Sequence, residues 1–277
     1  MIRNRTLGVA VLTCYGLTIV AGCGKEAPAL PPNDSMDFTN FEKGKPNGAL
    51  AAADQAVSTA NVELAAASVG FVALAVNLYL AMPRLIFWGV VSEKPTKDGD
   101  TWRWQHAFPL MGVDATLSGT RGASLELQMR VTGSRDMSYV QDFLWYTGSH
   151  QANNGRWELY DPGTPTEPGP AEPVLGIDWA KDSDTQKSLV FTNIRPQSLK
   201  NGDTLTFERD GTIASMSIHD ALSGQNDDGA ATDFTVAWNL DNGAGRLTRI
   251  TGEDLCWDTM TAGQADIPCP AGGWPLP

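Results

Sequence analysis

The chain has 277 residues, of which 42% are hydrophobic and 19% charged, with 20 Lys and Arg against 32 Asp and Glu and a formal net charge of −12. That balance excludes nucleic acid and anionic head groups as natural partners, because both repel an acidic surface. The length fits a leader plus one domain of ordinary size.

Met1 to Gly22 reads as a targeting segment rather than folded structure. Arg3 and Arg5 form a basic start, Leu7 to Val20 an apolar run, and Val20-Ala21-Gly22-Cys23 follows. Basic start, apolar run and box occur together and in order, and the box resembles the lipobox of bacterial lipoproteins. The resemblance covers about the first twenty-five residues. It implies that Cys23 becomes the first residue of the mature chain and carries the acyl chains, palmitate among them, that anchor it in a membrane. Gly24 follows in place of the Asp that retains such lipoproteins at the inner membrane, which points to the outer membrane, facing the periplasm or the cell surface. Subtracting Arg3 and Arg5 from the 20 basic residues leaves 18 against 32 acids, a net charge of −14 on the mature chain.

Residues 23–48 are rich in Pro, Asn, Lys and Glu, with Pro31-Pro32 in the middle, and predict an extended tether holding the folded part off the bilayer. Residues 49–277 then form a single domain.

It opens with a long apolar helix over 49–82. Leu50, Val57, Leu64, Phe71 and Leu78 repeat every seventh residue, with Ala53, Ala60, Ala67, Leu74 and Ala81 at the companion position. Pro83 predicts its end. A bilayer span needs about 20 apolar residues, and Leu64–Met82 nearly supplies them. Asn77 and the small side chains weigh instead toward a core helix whose Ala stripe lets a sheet approach closely.

From about residue 101 to 251 the pattern alternates with period two. Trp102, Trp104, His106 and Phe108 share one face, as do Leu125, Leu127, Met129 and Val131. Tyr139, Gln141, Phe143 and Trp145 follow, then Trp157 with Leu159, and Leu175, Ile177 and Trp179. Leu189 with Phe191, Leu205 with Phe207, Ala214 with Met216 and Ile218, and Phe234, Val236, Trp238 and Leu240 complete about ten strands. Asp98-Gly99, Asn154-Gly155, Asn201-Gly202, Asp210-Gly211, Asp228-Gly229 and Asn242-Gly243 mark the turns. Five prolines between Asp161 and Pro173 predict an exposed, partly polyproline-like loop there.

One apolar helix and one large sheet each need a face covered. The predicted fold is therefore mainly β (α+β): a large curved antiparallel meander or half-barrel wrapped around one long N-terminal helix. That arrangement is similar to the periplasmic lipoprotein carrier and its outer-membrane receptor, which hold acyl chains in a half-barrel. The similarity is architectural and carries no site residue with it.

Cys14 leaves with the leader, so Cys256 and Cys269 remain as an even pair in an oxidising compartment. They predict a disulfide stapling an irregular tail over 252–277. No metal site is expected of them, since no His lies nearby. His106, His150 and His219 are not at metal-ligand spacing, and nucleophile-elbow, zinc-protease and phosphate-loop motifs are missing from the sequence. His219 and Asp220 are neighbours, but adjacent strand residues point to opposite faces. Asp182-Ser183-Asp184 and Asn226-Asp227-Asp228-Gly229 lack the ligand spacing of a calcium loop and read as turns. No catalytic residue, cofactor or metal is assigned.

Trp102, Trp104, Trp145, Trp157, Trp179 and Trp238 are the remaining functional signal. Aromatics on an inward face either fill a core or line a wall for sugars or acyl chains. The sequence thus reads as a lipid-anchored envelope lipoprotein with a non-enzymatic structural or binding role. A carrier or receptor for a hydrophobic ligand is the alternative within binding proteins, requiring an open apolar cavity beside the helix. An envelope hydrolase with paired carboxylates is the alternative among enzymes. The membrane, reached through the lipid on Cys23, and an envelope protein or hydrophobic ligand are the expected partners.

Overall fold

A computed structural model describes residues 26–32, 35–36, 59–133, 140–164, 167–221, 233–258 and 265–270. Cys23, the expected leader, the beginning of the expected helix, Tyr139 and the expected turn at Asn226–Gly229 lie outside them.

Fourteen strands and one long helix make up the described residues. Each strand pairs antiparallel with the next in the chain, from β1 (Thr96–Asp98) through to β14 (Ala265–Ile267), in unbroken sequential order. The sheet stays open, so its first and last strands each have one neighbour. The mainly β meander with one N-terminal helix is therefore as the alternation predicted.

The helix α1 spans Ala60–Val91. At the usual helical rise its 32 residues extend about 48 Å. It lies against both ends of the sheet: β2 (Thr101–Phe108) and β3 (Val113–Arg121) on one side, β12 (Gly245–Thr248), β13 (Asp254–Asp258) and β14 on the other. At its start the Asn61 amide donates to Asp266 Oδ1 and the Asn61 side chain donates to the Cys256 carbonyl, both at 3.0 Å. Near its end Gly89 passes the Phe108 ring so closely that a Cβ there would sit 2.4 Å from it. The helix thus bridges the opening that the meander leaves.

Two expectations about this helix are corrected. Pro83 does not end it but lies within it, buried, and the helix runs on to Val91. A proline removes only its own amide donor, and here the packing of Ile86, Phe87 and Val90 against the sheet carries the helix past it. The second correction concerns its faces. Leu64, Phe71 and Leu78 are exposed, as are Ala60, Ala67, Leu74 and Ala81. The sheet takes the opposite side, where Val62, Val69, Val76, Pro83 and Val90 also repeat every seventh residue, flanked by Ala73, Leu80 and Phe87. Both stripes are apolar and equally periodic, so spacing alone had no means of choosing between them. The small and β-branched stripe packs closer.

Inward-facing strand residues alternate largely as expected. Leu125, Leu127, Met129 and Val131 of β4 (Leu125–Gly133) are buried, as are Leu189 and Phe191 of β8 (Gln186–Asn193). In β5 (Phe143–Gln151) the phase changes. The register slips at Met129/Arg130, so Phe143 pairs with Val131 but Tyr146 pairs with Met129. Tyr146 therefore takes the buried place expected for Trp145, which is left half-buried. A bulge of this kind flips every later side chain to the other face.

The proline-rich stretch is also corrected. β6 (Asn154–Thr164) and β7 (Glu167–Lys181) continue as a paired ribbon beyond their neighbours, with Tyr160 opposite Pro173, Gly163 opposite Pro168 and Thr164 opposite Glu167. β5 pairs with β6 only as far as Leu159, and β8 with β7 only as far as Leu175. Past those points each strand has one free side, where a residue without an amide donor costs no ladder bond.

The remaining turns follow the signals. Gly99, Gly202, Gly211 and Gly243 all adopt positive φ at hairpin connections. Asn154-Gly155 is the exception, because the turn falls two residues earlier at Ala152-Asn153, with Ala152 at φ 50°. The described part of 252–277 is more regular than expected, since β13 and β14 are built from it. The Cys256–Cys269 disulfide is formed, with Cα atoms 5.2 Å apart.

Candidate functional site

The six tryptophans fall mainly into the core. Trp157 and Trp238 are fully buried, Trp104 and Trp179 nearly so, and Trp102 and Trp145 half-buried. Several rings lie on glycines of the neighbouring strand. A Cβ at Gly148 would stand 2.3 Å from the Trp157 ring, at Gly155 2.7 Å from Trp179, and at Gly245 2.0 Å from Trp257. These glycines give the indoles a floor to lie on, so the rings fill the concave face rather than stand off from it. Trp157 is further fixed by edge-on contacts with Phe87 of the helix at 5.5 Å and Tyr146 at 5.7 Å.

A cavity of about 540 Å³ does open beside the helix, further along the sheet. Ala75, Val76 and Tyr79 of α1 form one wall. Val174 and Leu175 of β7, Phe191 of β8, Leu205 of β9 (Thr204–Asp210) and Ile218 of β10 (Ile213–His219) form the other. None of the six tryptophans lines it. The residues that do were legible only as ordinary strand and helix positions, since their convergence depends on how the sheet curves. The alternation that marked Leu175, Phe191, Leu205 and Ile218 as inward was the one sequence signal available.

Arg195 and Asp203 also line the cavity, and both are paired. Arg195 donates to Asp161 at 2.5 Å, and Lys200 lies 3.6 Å from Asp203 and 3.1 Å from Asp220. Burial, reinforced by the nearby Asp161 carboxylate, raises the Tyr79 phenol above its usual pKa. Tyr79 is also the residue whose carbonyl would receive an amide from position 83 in an uninterrupted helix, and Pro83 supplies none. The cavity therefore has mainly apolar walls, and the two charged residues that line it are matched by opposite charges.

A second cavity, also about 540 Å³, lies between the N-terminal segment and the hairpin ends of β5–β6 and β7–β8. Leu30 and Pro32 line it with His150, Trp179 and Lys181. His150 stacks on Trp179 with centroids 5.4 Å apart, and desolvation lowers its pKa against a hydrogen bond that the ring donates to the Asn154 backbone. The segment itself is seated on the sheet, with Pro28, Pro31, Ser35 and Met36 buried and the Trp157 indole N–H donating to Ser35 Oγ at 3.3 Å. The expected free tether is thus anchored to the domain over this part. The reason is the apolar surface of Pro28, Leu30, Pro31 and Met36, which the tryptophan-lined face buries.

The described polar positions singled out in the sequence have local partners. His106 bonds Glu93 at 2.8 Å and His219 bonds Asp233, rather than its neighbour Asp220, at 2.5 Å. Asp182-Ser183-Asp184 forms the β7–β8 turn, with the Asp182 and Ser183 amides donating to the Gln186 carbonyl. Arg156 links Glu158 and Asp178 on the outer face of the sheet. Among the described residues no three His, Cys, Asp or Glu side chains are placed to hold a metal ion. Comparison with protein-family models, with curated proteins and with solved structures finds no match to this chain.

Proposed function

We propose that the protein is a cell-envelope lipoprotein, anchored through acylated Cys23, that binds a hydrophobic molecule non-enzymatically as a carrier or receptor. The observation that carries this reading is the open cavity between α1 and β7–β10. Its volume of about 540 Å³ falls within the range of roughly 300–1,000 Å³ typical of small-molecule sites. Its apolar walls suit an acyl chain. The charges at its lining, Arg195 matched by Asp161 and Asp203 by Lys200, suit an uncharged or zwitterionic head group better than a bare carboxylate. The tryptophans act as scaffold under this reading, holding helix and sheet apart at the cavity by filling the space beside it.

The test is displacement of a fluorescent acyl probe from the mature, detergent-free chain. A zwitterionic lysophospholipid should compete more strongly than a fatty acid. Ala75→Trp, placed at a cavity wall that is exposed on its other side, should lower probe affinity about tenfold or more while leaving the unfolding midpoint in place, because the indole occupies the ligand's volume. A wild-type chain that binds no probe, or an Ala75→Trp variant that binds as well as wild type, would overturn the carrier reading and leave a filled scaffold.

A further inference from the structure

We infer that the outward face of α1 is a membrane-contact surface, seated in the boundary between head groups and acyl chains of the bilayer that carries the Cys23 anchor. The inference rests on the lipoprotein reading of Cys23 but not on the cavity holding a ligand.

The first observation is the surface itself. Phe71 is 75% exposed, Leu78 69%, Leu74 58% and Leu85 53%, along one side of a single helix. Between Glu63 and Arg84 the helix carries no charged residue. A helix with water on its outer side ordinarily presents polar residues there, and a continuous apolar patch marks a contact surface. By length and composition this helix is also apolar enough to cross a membrane, yet its other face is committed to the sheet, so lying in the interface is the geometry left to it. The outer side of β2–β5 is polar by contrast, with Thr101, Arg103, Gln105, Thr116, Gln128 and Arg130 lining a groove there, and the exposed apolar residues off the helix, Leu110, Leu199 and Ile250, are far apart in the chain.

The second observation says where the bilayer is. Trp157 is touched by Phe87 of α1 and hydrogen-bonded to Ser35 of the N-terminal segment. Helix and segment therefore lie on the same face of the sheet. The segment is described from Glu26, and Cys23 is three residues before it. Three residues of extended chain reach about 10 Å. An acyl anchor at Cys23 therefore keeps the bilayer within about 10 Å of Glu26, on the side of the sheet that α1 covers, and the apolar face of α1 is the surface on that side suited to meet it.

The occupant is thus a lipid surface, and an uncharged one in net terms. The mature chain carries −14, so attraction to anionic lipid is excluded and burial of apolar side chains must supply the binding.

The experiment is vesicle flotation of the mature chain with Cys23→Ser, so that no acyl group contributes. Phosphatidylcholine vesicles should retain the protein, with no loss as salt is raised, and phosphatidylglycerol vesicles should bind it more weakly at low salt. Phe71→Glu and Leu78→Glu should each reduce retention about tenfold, as expected for removing one large apolar side chain from the interface. Both positions are exposed, so folding should be unchanged, and Ile250→Glu, an exposed apolar residue off the helix, should bind as wild type. Leu78→Cys should react freely with a thiol reagent in solution and become protected on adding vesicles. Cys23→Ser protein that does not float, helix-face variants in that background that float equally, or a Leu78→Cys thiol already protected without vesicles, by a second copy or by another part of the chain, would each overturn the inference. Acylation of Cys23 is read separately, from the mass of the full chain produced in a bacterial host, so a failure there is not confused with a failure of the helix face.

Discussion

Gly148→Ala is the substitution whose consequence follows most directly from the packing. The new Cβ would lie 2.3 Å from Cζ3 and 2.4 Å from Cε3 of Trp157, well inside van der Waals contact. The indole cannot swing away cheaply. It is fully buried, held edge-on between Phe87 and Tyr146, and its N–H is engaged by Ser35. Overpacking a core of this kind costs about 1–3 kcal/mol, and loss of the Ser35 bond adds roughly 0.5–1.5 kcal/mol. Against this, replacing Gly by Ala removes unfolded-chain entropy worth about 0.4–1 kcal/mol. The net expectation is a destabilisation of about 0.5–4 kcal/mol, or roughly 1–16 °C in Tm for a domain of this size. Urea unfolding followed by indole fluorescence measures it, with Gly70→Ala as the contrast. Gly70 has nothing within 4 Å of an added Cβ and lies mid-helix, so the same change there should stabilise by about 0.5–1 kcal/mol. A Gly148→Ala variant as stable as wild type would show that Trp157 is free to move. Its ring would then belong to a pliable ligand wall rather than a fixed core.

Two further outcomes are expected. Reducing the Cys256–Cys269 bond, or replacing both cysteines by Ser, should cost about 3 kcal/mol by loop closure and loosen β13–β14 first, seen as faster amide exchange at Trp257 and Ile267. Because desolvation holds the His150 pKa below its ordinary value, the folded protein keeps this ring neutral where the unfolded chain would protonate it. Stability from this group is therefore present above about pH 6.5 and is lost as pH falls below it towards the folded-state value. The loss should be small, since the ring is partly open to solvent, and His150→Gln should flatten that part of the pH–stability curve.

The sequence alone determined the parts governed by local rules. Period-two alternation and turn glycines specify a long antiparallel meander, because a strand's faces and a hairpin's positive φ are properties of consecutive residues. The pairing of Cys256 with Cys269 was likewise legible from count and spacing. The apolar helix was legible as an element, but not its orientation. Val62, Val69, Val76 and Leu64, Phe71, Leu78 keep the same period, and only the sheet's shape selects which stripe it accepts. The Trp145 exchange with Tyr146 arose from a one-residue slip that no alternation pattern announces. The cavity at Ala75, Val76 and Tyr79, and the seating of Ser35 on Trp157, were decided by the tertiary structure alone. Both join residues more than a hundred positions apart, and it is the curvature of the whole sheet, not any local preference, that brings them together.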